Sequence, residues 1–306
     1  MIRLARLVLG LYPLAFRRRY GQEMRTLLEQ SPVRASTLID LLRGAVVAHL
    51  RPTGAAARLV GPADRVRASA SGVLGCWVVF AAAGFGFYKT TEDQSFSAAG
   101  YAHPLLGDVH GTVQGLAALG SVAVLLGALP LIRTALKAAR DEPRLRRWVS
   151  VPFVAVLVFA VLTGALVVAA HAGPSHRPAT IGGIAFLAWG LAGLVCGAAC
   201  VVAARKVLFA VRVPRWQLIT ASAGAALATG AMVAMTLATA LYAGALPIDA
   251  GHLAGTPNGP FQSLSASASV VVQAIVMAVA ATLAATATLR GWRAAAELRA
   301  ADAPGL

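Results

Sequence analysis

Charged residues are scarce in this sequence: they make up 13% of its 306 residues, while hydrophobic residues make up 58% and the mean hydropathy is +0.71. An ordinary soluble globular domain is about a quarter charged. The shortage of charge excludes a disordered chain, a collagen-like chain and an ordinary cytosolic enzyme. Only three cysteines occur, and all lie in long apolar runs, so no extracytoplasmic disulfide is indicated.

Sequence motifs for catalysis and for cofactor binding are also absent. The chain has no P-loop, no dinucleotide-binding glycine pattern, no Gly-x-Ser-x-Gly elbow, and neither His-Glu-x-x-His nor Cys-x-x-Cys. The interiors of the apolar runs contain no Asp, Glu, Lys or Arg, and such residues usually mark ion pathways or proton relays in membranes. We therefore expect no catalytic residues, no cofactor and no enzymatic activity.

Long hydrophobic runs are what the sequence has instead. A helix needs about 20 apolar residues to cross the hydrocarbon core of a bilayer. Six segments reach or approach this length, at residues 71–88, 111–132, 149–170, 181–204, 218–241 and 268–289. The sequence thus predicts an all-α, polytopic membrane protein with six transmembrane helices. Its predicted parts are an amphipathic helical module (1–50), a linker (51–70), the bundle (71–292) and a tail (293–306).

The basic residues are distributed very unevenly over the predicted loops. Of 27 Lys and Arg residues, 25 fall on one side of the six-span topology, and only Lys89 and Arg177 fall on the other. Cytoplasmic loops carry such an excess, so both termini are predicted in the cytoplasm of a bacterial cell, with the bundle in the plasma membrane. The positive charge then faces anionic lipids, and no nucleic acid is needed to explain it.

A few residues within the predicted spans are informative. Gln114 and Gln273 are expected to join helices by hydrogen bonds. Trp189, near the middle of its span, is expected to pack between helices. Two GxxxG patterns, at Gly111/Gly115 and Gly193/Gly197, indicate tight helix packing. The stretch 247–265, rich in Gly, Pro and Ser, is expected to form an irregular cap.

The first 50 residues have an amphipathic pattern. Phe16, Tyr20 and Met24 form a stripe at helical spacing after Pro13, and 17–19 is a run of three arginines beside it. Two interpretations remain open. The helices lie on the membrane with arginines at the headgroups, which predicts an unfolded segment in buffer and a helical one on anionic vesicles. Alternatively, they form a small bundle that docks a cytoplasmic partner.

The same stretch carries a family resemblance. Residues 11–24, LYPLAFRRRYGQEM, resemble a "YP–FR–RYG–EM" signature found in the helical prefix of some ABC-type permeases. The stretch is also similar to the start of many actinobacterial multi-pass membrane proteins of unknown function. The resemblance covers about the first 50 residues and implies a cytoplasmic helical module linked to transport or regulation, without catalytic residues. The residues expected to contact lipid or a partner are Phe16, Arg17, Arg18, Arg19, Tyr20, Glu23 and Met24.

Most histidines fall on the outer side of the predicted topology, together with two aspartates. Imidazole with carboxylate suits zinc or another borderline cation, and protonated imidazoles would sense external acidity. Solvated loop histidines are the third interpretation, and the absence of a metal motif favours it. We predict no metal site, and the weak candidates are His103, Asp108, His110, His171, His176, Asp249 and His252.

The leading functional hypothesis is a non-enzymatic integral membrane protein that couples its bundle to a cytoplasmic partner, in regulation or transport. The expected partners are anionic lipids and a cytoplasmic protein, either an ATPase or a transcription regulator. The alternative is the membrane subunit of an ABC-type exporter, with an ATPase docked on a cytoplasmic surface such as residues 133–147. A third class is an enzyme acting at the outer face through the His and Asp loops.

Overall fold

The computed structural model describes residues 5, 8, 9, 12, 14–30, 36–38, 40, 41, 44, 61–172, 179–258 and 264–300. Regular secondary structure within these ranges is helical, and one isolated antiparallel bridge joins Pro257 to Ser265. The chain divides into two compact units, residues 1–61 and residues 62–306.

The helices of the described ranges follow the apolar runs. In chain order they are α1 (Leu14–Gln30), α2 (Pro62–Thr91), α3 (Gln94–Ala102), α4 (Pro104–Asp141), α5 (Pro143–Ala172), α6 (Ala179–Ala210), α7 (Arg215–Asp249), α8 (Gly251–Ala254) and α9 (Ala266–Ala300). Six of them, α2, α4, α5, α6, α7 and α9, are long and apolar enough to cross a membrane. The chain is therefore a multi-pass membrane protein, and the predicted all-α fold with six transmembrane helices is confirmed.

The helices are longer than the apolar runs that predict them. Helix α4 has 38 residues, about 57 Å at 1.5 Å per residue, whereas the hydrocarbon core is about 30 Å thick. Helix α2 begins at Pro62, inside the stretch assigned to a linker, and α9 continues to Ala300, inside the stretch assigned to a tail. Proline is well suited to the first helical position, and the Ala, Leu and Arg after residue 293 are strong helix formers.

Four helices form the core of the second unit. Helix α2 packs along α9, α9 packs along α7, and α7 packs along α4, with a further contact between α2 and α7. Their largest buried side chains include Phe80 and Phe87 from α2, Met232 from α7, and Val270 and Met277 from α9. This arrangement places the ends of α2, α4 and α9 side by side, where the polar side chains described below meet.

Helices α4 and α7 cross with their backbones in direct contact. A Cβ atom built on Gly224 would lie 2.7 Å from the Cα atom of Gly127, closer than real Cβ atoms approach. Glycine is required at this crossing because any side chain would separate the two helices. The predicted glycine pair Gly111/Gly115 lies elsewhere on α4 and is exposed, and a Cβ atom added to either glycine would meet nothing within 4 Å.

The second predicted glycine pair is used. A Cβ atom on Gly193 would lie 2.9 Å from the ring of Phe159 in α5, and one on Gly197 would collide with Val78 in α2. Both glycines therefore let α6 approach its neighbours closely. The GxxxG pattern predicted tight packing correctly in α6, whereas in α4 the tight contact lies further along the helix.

Helices α5 and α6 form a hairpin at the side of this core. They pack on each other, while α6 also touches α2 and α5 touches α4. An aromatic cluster joins the hairpin to α2: the ring of Trp189 lies 4.9 Å from Phe85, 5.1 Å from Phe159 and 5.5 Å from Phe186. The indole N–H of Trp189 donates to Thr163 Oγ1 at 2.9 Å, so the prediction that this tryptophan packs between helices is confirmed.

The two ends of the bundle differ. The end that holds the α2–α3–α4 and α7–α8–α9 connections is here called the histidine end. The end that holds the α4–α5 corner and the α6–α7 loop is called the arginine end. At the histidine end, Phe96 of α3 and Leu253 of α8 are buried against the core. The predicted irregular cap is thus partly helical, because α7 continues through Pro247 to Asp249 and α8 follows.

Candidate functional site

The N-terminal unit has an apolar cluster of its own. Ala5, Leu9, Tyr12, Leu28 and Leu41 are buried in it, and Val8, Phe16, Met24 and Leu38 pack against it. The rings of Tyr12 and Phe16 are stacked with their centroids 5.0 Å apart, and Phe16 and Tyr20 are 4.9 Å apart. The predicted stripe therefore contacts other residues of its own unit.

These contacts are the ones expected of a small bundle, and contact of this unit with a membrane surface stays a prediction. Tyr12 is only 5% exposed, and burial raises the pKa of its phenol. A side chain on Gly44 would collide with the Tyr12 hydroxyl, so glycine makes room for it. Glu23 is exposed on α1. The side chains of Arg17, Arg18 and Arg19 lie outside the described ones, so their contacts with lipid or a partner stay a prediction.

The weak metal candidates are spread over several elements. His103 directly precedes α4, Asp108 and His110 lie in the first two turns of that helix, Asp249 ends α7 and His252 lies in α8. His176 and the side chain of His171 fall outside the described parts of the chain. Within the described parts, no three His, Cys, Asp or Glu side chains are grouped so that they could hold a metal ion.

His110 is held by hydrogen bonds instead. Its Nδ1 atom lies 3.4 Å from Thr91 Oγ1, and its Nε2 atom lies 3.0 Å from the amide nitrogen of Gln114. Because the Thr91 hydroxyl donates its own hydrogen to the carbonyl of Phe87 at 2.9 Å, it accepts a hydrogen bond from the Nδ1–H of His110. With the Gln114 amide nitrogen as the donor to Nε2, the arrangement fits an imidazole protonated at Nδ1 alone. Gln114 is exposed and bonds within its own helix, contrary to the expectation that it joins helices.

Gln273 joins two helices, as the sequence predicted. Only 5% exposed, it donates from Nε2 to Thr90 Oγ1 at 3.1 Å, and the Thr90 hydroxyl donates to the Gly86 carbonyl at 2.9 Å. The amide of Asn258 donates to the Thr90 carbonyl at 3.0 Å and to Asp93 Oδ2 at 2.8 Å. A network of mainly uncharged hydrogen bonds therefore ties α9, α2 and the loop after α8 together at the histidine end.

Ion pairs hold the opposite end of α2. Arg65 pairs with Glu297 of α9. Arg67 donates to Asp64 Oδ1 at 2.8 Å and to the carbonyl of Val211, in the α6–α7 loop, at 3.1 Å. These guanidinium groups are engaged within the unit and connect three of its elements.

The basic side chains of the α4–α5 corner form no ion pairs with the described residues. We call residues 133–148, the end of α4 and the start of α5, the elbow. Its basic side chains are all exposed, and they are Arg133, Lys137, Arg140, Arg144, Arg146 and Arg147. Arg205, Lys206 and Arg212, near the α6–α7 loop that packs against the elbow, are exposed as well. Such a surface has a positive potential, which attracts anionic groups.

Sequence reasoning missed how these residues are paired. Gln273 stood out as a polar residue in an apolar run, but its partner Thr90 did not, because threonines are common in the spans. The pairing of Arg65 with Glu297 joins residues 232 positions apart, and no spacing rule predicts it. The overall charge asymmetry was visible in the sequence, whereas the division into paired and unpaired bases was not.

Comparison with known proteins adds no relative. No protein-family model, no characterised protein and no solved structure gives a significant match to this chain.

Proposed function

We propose that this multi-pass protein resides in a bacterial plasma membrane, is not an enzyme, and couples its six-helix bundle to a protein partner in the cytoplasm. The observation that carries the proposal is the charge distribution. In the predicted topology, 25 of 27 basic residues lie on one side, and the positive-inside rule assigns that side to the cytoplasm. The arginine end and both termini then face the cytoplasm.

The N-terminal unit supports the coupling role. Residues 1–61 form a compact unit, and its described residues include an apolar cluster of their own. In the proposed orientation it lies in the cytoplasm, where Glu23 and other exposed polar residues of α1 are available to a partner. The resemblance of residues 11–24 to the permease prefix agrees with a module of this kind.

The non-enzymatic part of the proposal rests on the residues inside the bundle. The predicted spans contain no acidic or basic side chain in their interiors, although proton transfer and hydrolysis usually need one. His110, the half-buried imidazole at the histidine end, forms hydrogen bonds with Thr91 and Gln114. These groups suit helix association better than bond cleavage.

Site-specific photo-crosslinking in cells tests the coupling role. A benzophenone amino acid in place of Glu23, which is exposed on α1, is expected to give a discrete adduct with one cytoplasmic protein. An ATPase in that adduct favours transport, and a sigma factor or repressor favours regulation. The same crosslinker at Leu157, 64% exposed in the middle of α5, serves as the control and should meet only lipid. If Glu23 also gives lipid adducts alone, or none, the proposal is wrong.

A further inference from the structure

The elbow projects beyond the apolar part of the bundle. The apolar run of α4 ends at Ile132, and the helix continues for nine residues to Asp141. At 1.5 Å per residue, Arg140 lies about 12 Å past the end of that run. The headgroup layer is only about 5–7 Å thick on each side of the hydrocarbon core. With Ile132 placed at the edge of the hydrocarbon core, the tip of the elbow therefore lies outside the lipid headgroups.

The elbow is a folded structure with a fixed shape. Leu145 is 4% exposed and packs with Val207 and Val211, which are 6% and 8% exposed. The ammonium group of Lys206 lies 3.7 Å from the ring centre of Trp148, a cation–π contact that ties α6 to α5. The N–H of Glu142 donates to a carbonyl of α4 at 3.2 Å, which closes the corner. The backbone that carries the basic side chains is thus already folded, which lowers the ordering cost of binding.

The charge of this surface is strongly one-sided. Nine exposed bases, those of the elbow together with Arg205, Lys206 and Arg212, are accompanied by two acids, Asp141 and Glu142. Within the described part of the chain none of these nine forms an ion pair. The bases at the start of α2 are different, because Arg65 and Arg67 have carboxylate partners. Unpaired charge is therefore concentrated at the elbow and the loop beside it.

From these observations we infer that the elbow and the adjacent α6–α7 loop are a docking surface for a cytoplasmic protein with an acidic face. The inference rests on the proposed function, since it takes the arginine end as cytoplasmic. Lipid headgroups reach the first turn after Ile132, but Arg140 lies beyond them. Arginine, the main base here, binds carboxylates in a bidentate manner. A fixed patch of one sign also speeds the encounter of oppositely charged surfaces.

Photo-crosslinking from the corner of the elbow tests the docking surface in the full chain in cells. The benzophenone amino acid replaces Glu142, which is exposed at the corner. The expected result is one discrete adduct whose crosslinked peptide, identified by mass spectrometry, is rich in Asp and Glu. The Arg140→Gln/Arg144→Gln variant is expected to lower the adduct yield about tenfold. The matched control, Arg293→Gln/Arg299→Gln, removes the same charge from the exposed end of α9 and should leave the yield unchanged.

Other outcomes overturn the inference. An adduct with lipid or with nucleic acid means that the elbow serves those partners instead. A yield that does not change when Arg140 and Arg144 are replaced, or that falls equally in the control, means that docking does not depend on this surface. If the Glu142 position gives no protein adduct while the Glu23 position does, the elbow inference fails and the proposed coupling stands.

A second measurement checks the position of the tip relative to the bilayer. The three native cysteines are replaced by alanine and a spin label is attached at Arg140→Cys, with the protein in vesicles that contain phosphatidylglycerol. A water-soluble nickel chelate is expected to enhance the spin relaxation of the label, whereas a paramagnetic reagent attached to lipid is not. A label found at headgroup depth means that anionic lipid covers the tip, which overturns the protein-docking assignment.

Discussion

The crossing of α4 and α7 allows a quantitative test through a single methyl group. In Gly224→Ala the new Cβ atom would lie 2.7 Å from the Cα of Gly127 and 2.9 Å from the carbonyl oxygen of Ala123. Both neighbours are backbone atoms, which cannot rotate away as a side chain can. An ordinary carbon contact is about 3.5–4 Å, so the two helices must separate by nearly 1 Å at this point.

The free-energy cost follows from this separation. Inserting a methyl group into a close-packed contact typically costs about 1–3 kcal/mol. The replacement of glycine by alanine also favours the helix by up to about 1 kcal/mol, which partly masks the cost. Gly230→Ala in the same helix gives the matched control, because Gly230 is exposed and a Cβ atom there meets nothing within 4 Å. The difference between the two variants isolates the crowding term at about 1–3 kcal/mol.

The assay is reversible unfolding of the purified protein in mixed micelles with increasing sodium dodecyl sulfate, followed by tryptophan fluorescence. Gly224→Ala should unfold at a clearly lower detergent fraction than Gly230→Ala. Gly127→Ala should have a smaller effect, since its Cβ atom would lie 3.1 Å from the Cα of Gly224. If Gly224→Ala proves as stable as Gly230→Ala, α4 and α7 do not cross at these glycines and the packing described here is wrong.

Four further outcomes are expected. Reporter fusions at Gly173 and Gly255 should both locate outside the cell, and a cytoplasmic result at either position refutes the six-span topology. Gln273→Glu should destabilise the bundle in the same unfolding assay, because it buries a carboxylate at a 5% exposed position, while Gln273→Met should cost less. Trp189→Phe should lose about 1 kcal/mol with the indole hydrogen bond to α5; equal stability would show that the bond contributes nothing. The raised pKa of buried Tyr12 means that the folded N-terminal unit disfavours the ionised phenol. The contribution of Tyr12 to the free energy of unfolding of that unit should therefore be fully present below about pH 10, the usual tyrosine pKa. It should decrease as the pH rises above that value. Circular dichroism of residues 1–61 against pH checks this, with Tyr12→Phe as the insensitive control.

The membrane-spanning part of the fold could be predicted from the sequence because hydropathy is a local property. Each apolar run long enough to cross a bilayer corresponds to one of the six long helices. The charge asymmetry is equally a sum over loops, so it needs no knowledge of packing. The helix ends were less predictable, since polar flanks such as residues 133–141 and 293–300 continue the helix into water.

Which faces of the helices meet was decided by the tertiary structure alone. Lipid tails are as apolar as leucine, so hydropathy does not distinguish a lipid-facing surface from a buried one. For this reason the GxxxG pattern singled out Gly111 and Gly115 in α4, where an added Cβ atom would meet nothing within 4 Å, while the close contact of that helix lies between Gly127 and Gly224.

The same limit applies to the polar and charged residues of the candidate sites. The hydrogen bond between Gln273 and Thr90 joins α9 to α2. Arg65 forms an ion pair with Glu297, near the other end of the chain, whereas the exposed arginines of the elbow form none among the described residues. In the N-terminal unit, Phe16 and Met24 pack on their own cluster, whereas their periodicity fitted a membrane surface equally well. The sequence by itself determined six spans and the side on which the charge lies. Only the tertiary structure decided which residues pair with each other. Pairing depends on how the helices rotate and cross, and this brings together residues that are far apart in the chain.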